Sequence, residues 1–277
     1  MRKLLFFISL IVLTVKFLFA QPENQNNETH VLITTNYGNI TVKLYNKTQE
    51  HKKNFLKLVN QEFYDSLLFH RVIENFMIQG GDPGSKNASH DAQLGGGSSD
   101  YTIPAEFFPE YYHKRGALAA ARQGDRVNPE QRSSSSQFYI VQGEIFTPGQ
   151  LDTLLTMKNQ NLKKQLFNKE AQNAEAQLQA FRSKNDREGF NAFAEQLRLK
   201  TDSLFEHVEK YELTPQQREV YTTAGGYPSL DGDYTVFGEV VDGMDVVDKI
   251  AAVETGAANR PVKDVMITDM KVIDYLK

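Results

Sequence analysis

Between Arg71 and Gln79 the chain places an arginine, a phenylalanine, a methionine and a glutamine within nine residues, inside the string Phe69-His70-Arg71-Val72-Ile73-Glu74-Asn75-Phe76-Met77-Ile78-Gln79-Gly80-Gly81-Asp82-Pro83. In a strand-rich setting, residues two apart share a face, so Arg71, Met77 and Gln79 can project together. A guanidinium keeps its charge at any ordinary pH, so Arg71 offers charge-assisted hydrogen bonding and no proton exchange. Taken singly these are ordinary residues: Phe76 and Met77 would be core, and Arg71 a solvated strand residue. Other chemistries lack their parts. With no Cys there is no thiolate nucleophile, disulfide or thiolate metal site. The six His residues, 30, 51, 70, 90, 113 and 207, show no ligand-like spacing, so neither a metal nor another cofactor is expected. Ser133 to Ser136 is a serine cluster without a G-x-S-x-G elbow and reads as a flexible loop rather than a hydrolase nucleophile.

The elements that must hold these residues read as mainly β. Val31 to Thr35 and Ile40 to Tyr45 alternate around Tyr37-Gly38-Asn39, as a hairpin does. Phe55, Leu56 and Val59 lie at helical spacing within Lys52 to Val59 and can lay one apolar face on a sheet. Short apolar segments between Gly-rich turns follow, at Leu68 to Ile78, Gly116 to Ala121 and Phe138 to Val141, with strand character returning at Tyr234 to Val241 and Val262 to Tyr275. That cadence belongs to a barrel or sandwich.

Residues 150–217 break the cadence. No Pro occurs there before Pro215 and the interior holds only Gly189. Phe167, Ala171, Ala174, Leu178 and Phe181 form one apolar stripe, and Phe190, Phe193, Leu197, Leu204, Val208 and Tyr211 a second, with Ser183 to Gly189 as the turn. An antiparallel helical hairpin is predicted, either self-packed or serving as an arm for a partner or a second copy. At the other end, Arg2 and Lys3 precede an apolar run from Leu4 to Val15 and the small residue Ala20, the outline of a secretory signal over residues 1–20 with cleavage after Ala20 and a polar spacer over 21–29. The chain has 277 residues, 40% of them hydrophobic and 24% charged, with a formal net charge of -4. This is globular material without the basic excess that points to nucleic acid.

At the Phe69 to Asp82 string the sequence resembles the cyclophilin-type peptidyl-prolyl isomerases, whose F-H-R-(V/I)-I-x-x-F-M-x-Q-G-G-D pattern it matches without a gap. Gly116-Ala117-Leu118-Ala119-Ala120-Ala121, Ser136-Gln137-Phe138-Tyr139-Ile140, and Leu230-Asp231-Gly232 leading to Val236-Phe237-Gly238-Glu239-Val240 follow in family order. The resemblance implies an eight-stranded antiparallel barrel with two capping helices, in two parts at 30–149 and 218–277, interrupted by the helical insertion at 150–217. It also implies a substrate groove on the outer surface of the barrel.

Peptidyl-prolyl isomerisation makes and cuts no covalent bond. Amide resonance sets a barrier of about 18–20 kcal/mol, so catalysis must bind the twisted amide better than either planar isomer. The resemblance assigns Arg71 to the prolyl nitrogen, whose lone pair returns on twisting, and Gln79 to a substrate backbone carbonyl. Phe76, Met77, Tyr139 and Leu230 would wall the proline pocket, with Gln137 in support and Ala121 and Arg122 along the substrate backbone. His70 is expected to be structural, since bond rotation needs no titrating group.

Several positions depart from the best-known eukaryotic members. Arg122 stands where they carry Asn and is expected to add a cation at the rim. Tyr139 replaces Phe and brings a hydroxyl that needs a partner. Ser229 and Tyr234 replace Trp and His, which reshapes the far end of the groove and removes the indole donor to cyclosporin. The expected role is an exported folding catalyst acting on proline-containing unfolded or nascent polypeptides, in a bacterial periplasm, with secretion or N-terminal anchoring as alternatives. A proline-segment-binding chaperone or scaffold that works through residues 150–217 is the competing reading.

Overall fold

The computed structural model describes residues 28–97 and 101–275, so the expected signal and most of the polar spacer lie outside the described residues. Among the described residues ten strands are formed: β1 Thr29–Thr35, β2 Gly38–Leu44, β3 Arg71–Ile73, β4 Met77–Gly80, β5 Thr102–Ile103, β6 Ala117–Ala120, β7 Ser133–Ser134, β8 Phe138–Val141, β9 Val236–Asp242 and β10 Ile267–Ile273. The α-helices are α1 Gln49–Asn60, α2 Pro148–Asn173, α3 Glu175–Ser183, α4 Arg187–Glu206, α5 Pro215–Thr223 and α6 Met244–Ala251.

Eight strands make one antiparallel curled sheet in the order β10-β1-β2-β9-β6-β8-β4-β3, while β5 and β7 pair separately. The two edges of the large sheet are brought together by the chain leading into β3. Ser66 N donates to Ile267 O, Ile267 N to Leu67 O and Phe69 N to Val265 O, each at 2.8 Å. Alternation along the strands then sorts side chains to two sides. Val72, Ile78, Leu118, Phe138, Ile140 and Phe237 point into the main core, which Phe55, Leu58 and Val59 of α1 and Val246, Val247 and Ile250 of α6 join. Met77, Ala117, Ala119, Tyr139 and Val236, the neighbours of those residues along each strand, form a second apolar cluster on the outer face. The tight approach of α6 fixes a glycine in the first hairpin: Gly38 has φ +133°, and a Cβ there would stand 2.9 Å from Val246 Cγ2. The turn of that hairpin is Asn36-Tyr37, one residue earlier than the Tyr37-Gly38-Asn39 reading, because Gly38 already pairs with Thr35.

The helical insertion differs from a simple two-helix hairpin. Its first arm is interrupted at Ala174 (φ -101°, ψ 10°), so α2 and α3 are separate helices, both packed against α4. The turn is shorter than expected, Lys184 to Asp186, because the Asp186 side chain accepts from Gly189 N and starts α4 inside the predicted loop. Leu178 and Leu197 are buried and Phe181 meets Phe193 at 5.8 Å between ring centroids, as the two stripes predict. The second stripe fails at its end. Leu204 is exposed, and Tyr211 lies beyond the helix, where its backbone N–H and C=O bond Asn159 Oδ1 and Nδ2. The helix α5 was not anticipated, although Thr214 and Gln217 form a capping box with Pro215 at the first helical position.

Candidate active site

The hairpin of β3 and β4 turns through Glu74, Asn75 and Phe76, with Asn75 at φ +61°. Its register sets Arg71 opposite Gln79 and Ile73 opposite Met77, so Arg71, Met77 and Gln79 share the outer face, as strand periodicity predicts. Beside it, β8 sets Tyr139 opposite Gln79, and β6 sets Ala119 opposite Tyr139. Phe76, Ala121, Leu230 and Tyr234 pack against the resulting outer cluster. The fold thus gathers all ten expected site residues on one side of the barrel, although they come from four stretches of chain.

A line of hydrogen bonds runs across this face. Arg71 Nη1 donates to Gln79 Oε1 at 3.0 Å, and Gln79 Nε2 donates to Gln137 Oε1 at 3.0 Å. Gln137 Nε2 in turn donates to the carbonyls of Gly95 and Gly97. The loop it reaches is held from below by Asp82, whose carboxylate accepts from the backbone N–H of Gly84, Gly95 and Gly97. A Cβ at 97 would lie 2.1 Å from Asp82 Oδ1, so a larger residue there would displace the carboxylate that braces the loop. Asp82 was inside the sequence motif, but its task could not be read without the loop it braces. Arg71 is half-buried, with its Cζ 6.0 Å from the centre of the Phe76 ring. The Phe76 ring also stacks on Tyr227 at 4.0 Å between centroids, a wall residue the sequence did not single out.

The hydroxyl of Tyr139 finds a protein partner. His113 is buried, its Nδ1 lies 2.9 Å from Asp231 Oδ1 and its Nε2 2.9 Å from Tyr139 Oη. A carboxylate only accepts, so Nδ1 carries the proton in the neutral ring and Nε2 accepts from the phenol. Asp231 also accepts from His113 N and from Tyr221 Oη. Burial pushes the Tyr139 phenol well above its ordinary pKa, keeping it a donor. This Tyr139-His113-Asp231-Tyr221 network fixes one wall of the pocket and the residue next to Leu230.

Arg122 corrects an expectation. Its side chain is 4% exposed: Nε donates to Asp233 O at 2.7 Å, Nη1 pairs with Asp125 Oδ1 at 2.6 Å, and Cζ lies 4.6 Å over the Tyr234 ring. The guanidinium is therefore spent on bracing Tyr234 and is not a free cation at the rim. Ala121 keeps its apolar side chain on the outer cluster while its N–H donates to Gln137 O and its C=O accepts from Ser134 N. His70 is buried, and burial lowers its pKa. Among the described residues no group of three or more His, Cys, Asp or Glu is placed to hold a metal ion.

An antiparallel barrel with an apolar outer face, Arg71 at its edge and a line of glutamines beside it is the arrangement that the resemblance to the cyclophilin-type isomerases implies. The comparisons agree with that class. The family described as "Cyclophilin type peptidyl-prolyl cis-trans isomerase/CLD" matches residues 30–166 and 208–272, and the chain belongs to that family. The match leaves out residues 167–207, which lie within the helical insertion. A Streptococcus pyogenes protein named as a bifunctional phosphatase/peptidyl-prolyl cis-trans isomerase is 32% identical over 92% of this chain, which spans only 41% of that relative. A Staphylococcus haemolyticus protein named as a peptidyl-prolyl cis-trans isomerase is 27% identical over 91% of this chain and 95% of its own length. The crystal structure of a cyclophilin-type isomerase from Cryptosporidium parvum superposes with TM-score 0.52 at 19% identity, covering 90% of this chain and 99% of its own, and shows the shared fold. A second structure of the same Cryptosporidium protein, obtained in the presence of the dipeptide Ala-Pro, gives TM-score 0.50.

Proposed function

We propose that this chain accelerates rotation about Xaa-Pro bonds in proline-containing polypeptides, with Arg71 donating to the prolyl nitrogen as the amide twists. The observation that carries the reading is the Arg71-Gln79-Gln137 line laid along an apolar wall of Phe76, Met77 and Tyr139. A planar amide nitrogen is no acceptor, whereas a twisted one is, so the bond strengthens only toward the transition state. A charge-assisted hydrogen bond nets about 1.5–3 kcal/mol, and a hundred-thousandfold acceleration needs about 7 kcal/mol. The remainder falls to the pocket, which holds the proline ring away from water while the preceding carbonyl swings, with the second Nε2–H of Gln79 left to meet that carbonyl.

The role we assign is that of an exported folding catalyst in a bacterial periplasm, on the strength of the signal-like pattern in residues 1–20; a mature N-terminus at Gln21 would support it. Catalysis itself is tested by proline-peptide exchange with the purified chain. A rate equal to the uncatalysed tens to hundreds of seconds overturns the reading.

A further inference from the structure

A cavity of about 980 Å³ lies where the helical insertion meets the barrel, between the first half of α2 and the rim formed by Arg122, Ser229 and Tyr234. Its apolar lining comes from Phe146 and, on α2, from Leu154, Met157 and Leu162. The junction is built rather than incidental. Lys158 of α2 sends its Nζ to Ser229 O at 2.9 Å, Asp231 O at 2.8 Å and Asp233 Oδ2 at 2.9 Å, which clamps the helix to the loop carrying Leu230 and Tyr234. Tyr211 lies under the same ammonium at 4.2 Å from its ring centre.

The chemistry of the cavity selects its occupant. Four charged residues line it, and they are already matched, Arg122 with Asp125 and Lys158 with Asp233. Thr147 and Gln150, also in the lining, spend their side chains on the capping box of α2. Apart from the side chains of Asn161, Gln165 and Ser229, what remains for a ligand is mainly apolar surface, including Met157, which is 58% exposed and whose unbranched thioether adapts to varied shapes. Tyr234 lines this cavity and also packs against the apolar cluster of the proline groove, so the two adjoin at that ring. A polypeptide held by its proline in the groove continues on both sides, and three or four further residues span about 10–14 Å. Ser229, which stands where a tryptophan is usual, lines the cavity.

We propose that this cavity is an extended client subsite: it takes large apolar side chains of the substrate polypeptide itself, a few residues from the proline on the Tyr234 side. The proposal rests on the isomerase reading above. It makes the insertion a specificity element that favours proline segments flanked by hydrophobic sequence, the kind exposed before folding.

The test compares twelve-residue peptides carrying one Ala-Pro bond and either Leu-Phe or Ser-Ser three to five residues away, placed on either side, in the full chain. Exchange rates and fluorescence-anisotropy affinities are read together, for wild type, Leu154→Glu, Met157→Glu and, as a surface control on α4, Leu199→Glu. Burying one large apolar side chain predicts about a tenfold advantage of the Leu-Phe peptide over the Ser-Ser peptide on one side only. That ratio should persist in Leu199→Glu and fall below about twofold in Leu154→Glu and Met157→Glu. No advantage in wild type, or an undiminished ratio in both cavity variants, overturns the subsite. If wild type binds peptides without accelerating exchange, the isomerase reading falls while the affinity ratio still decides the cavity. A wild-type dimer in light scattering that Met157→Glu converts to monomer would assign the cavity to a second copy and also overturn the proposal.

Discussion

Arg71 and Gln79 stand directly opposite each other in the β3-β4 ladder, and the arginine Nη1 donates to the glutamine Oε1 at 3.0 Å. Gln79 is itself held by Gln137, so the guanidinium is aimed before substrate arrives. Gln79→Ala therefore removes the support of Arg71 together with the proposed substrate contact. We expect kcat/KM on a proline peptide to fall about 10- to 100-fold, the worth of a charge-assisted hydrogen bond, with the melting temperature nearly unchanged.

Tyr139 and His113 form a buried pair whose members depend on each other. Tyr139→Phe leaves His113 Nε2 without its partner and should cost about 1–3 kcal/mol of stability, a drop of about 2–4 °C per kcal/mol in melting temperature. In a double-mutant cycle with His113→Phe, chemical denaturation should give a coupling above about 0.5 kcal/mol. Additive losses would show that the contact carries no weight.

Two buried histidines set a pH dependence. Burial lowers the pKa of His51 and of His70 from the ordinary 6.5, at His51 against the opposing pull of Glu106. Folding therefore favours the neutral form of both, while the unfolded chain takes up protons near pH 6.5. Stability is thus full above that pH and is lost as pH falls toward the folded values. Melting temperature should decline between pH 7 and 5, and His70→Gln should flatten that slope. An unchanged slope in the variant would contradict the assignment.

The family resemblance ties cyclosporin binding to an indole donor, and position 229 carries Ser, whose carbonyl is occupied by Lys158. Losing the hydrogen bond and the buried ring together should weaken inhibition about a hundredfold or more relative to an indole-bearing family member. An inhibition titration in the peptide assay reads this directly, and nanomolar potency would contradict it.

The site was legible where its residues are close in sequence. Arg71, Phe76, Met77 and Gln79 fall in one string, and strand periodicity alone puts three of them on one face. The network behind Tyr139 was not legible, because His113 is 26 residues from Tyr139 and 118 from Asp231, so only the fold joins them. For the same reason Arg122 read as a free rim cation: its neighbour Asp125 is three residues away, but Tyr234 and Asp233, which hold it in place, arrive from beyond the insertion. Lys158 gave no signal at all within a polar helix, since its three acceptors lie in a loop 71 to 75 residues later. Apolar stripes predicted the α3-α4 contact but could not show the break at Ala174, where neither Gly nor Pro marks it. The capping box at Thr214 and Gln217, by contrast, was present in the sequence and would have located α5.

Arg71 is proposed to stabilise the twisted amide rather than the bound peptide. Line-shape or exchange NMR on an Ala-Pro peptide, with wild type and Arg71→Ala at saturating peptide, separates the two. In Arg71→Ala the on-enzyme isomerisation rate should fall about 10- to 100-fold with peptide affinity changed less than about threefold. Wild-type isomerisation in Arg71→Ala, or a loss seen only in affinity, would contradict it.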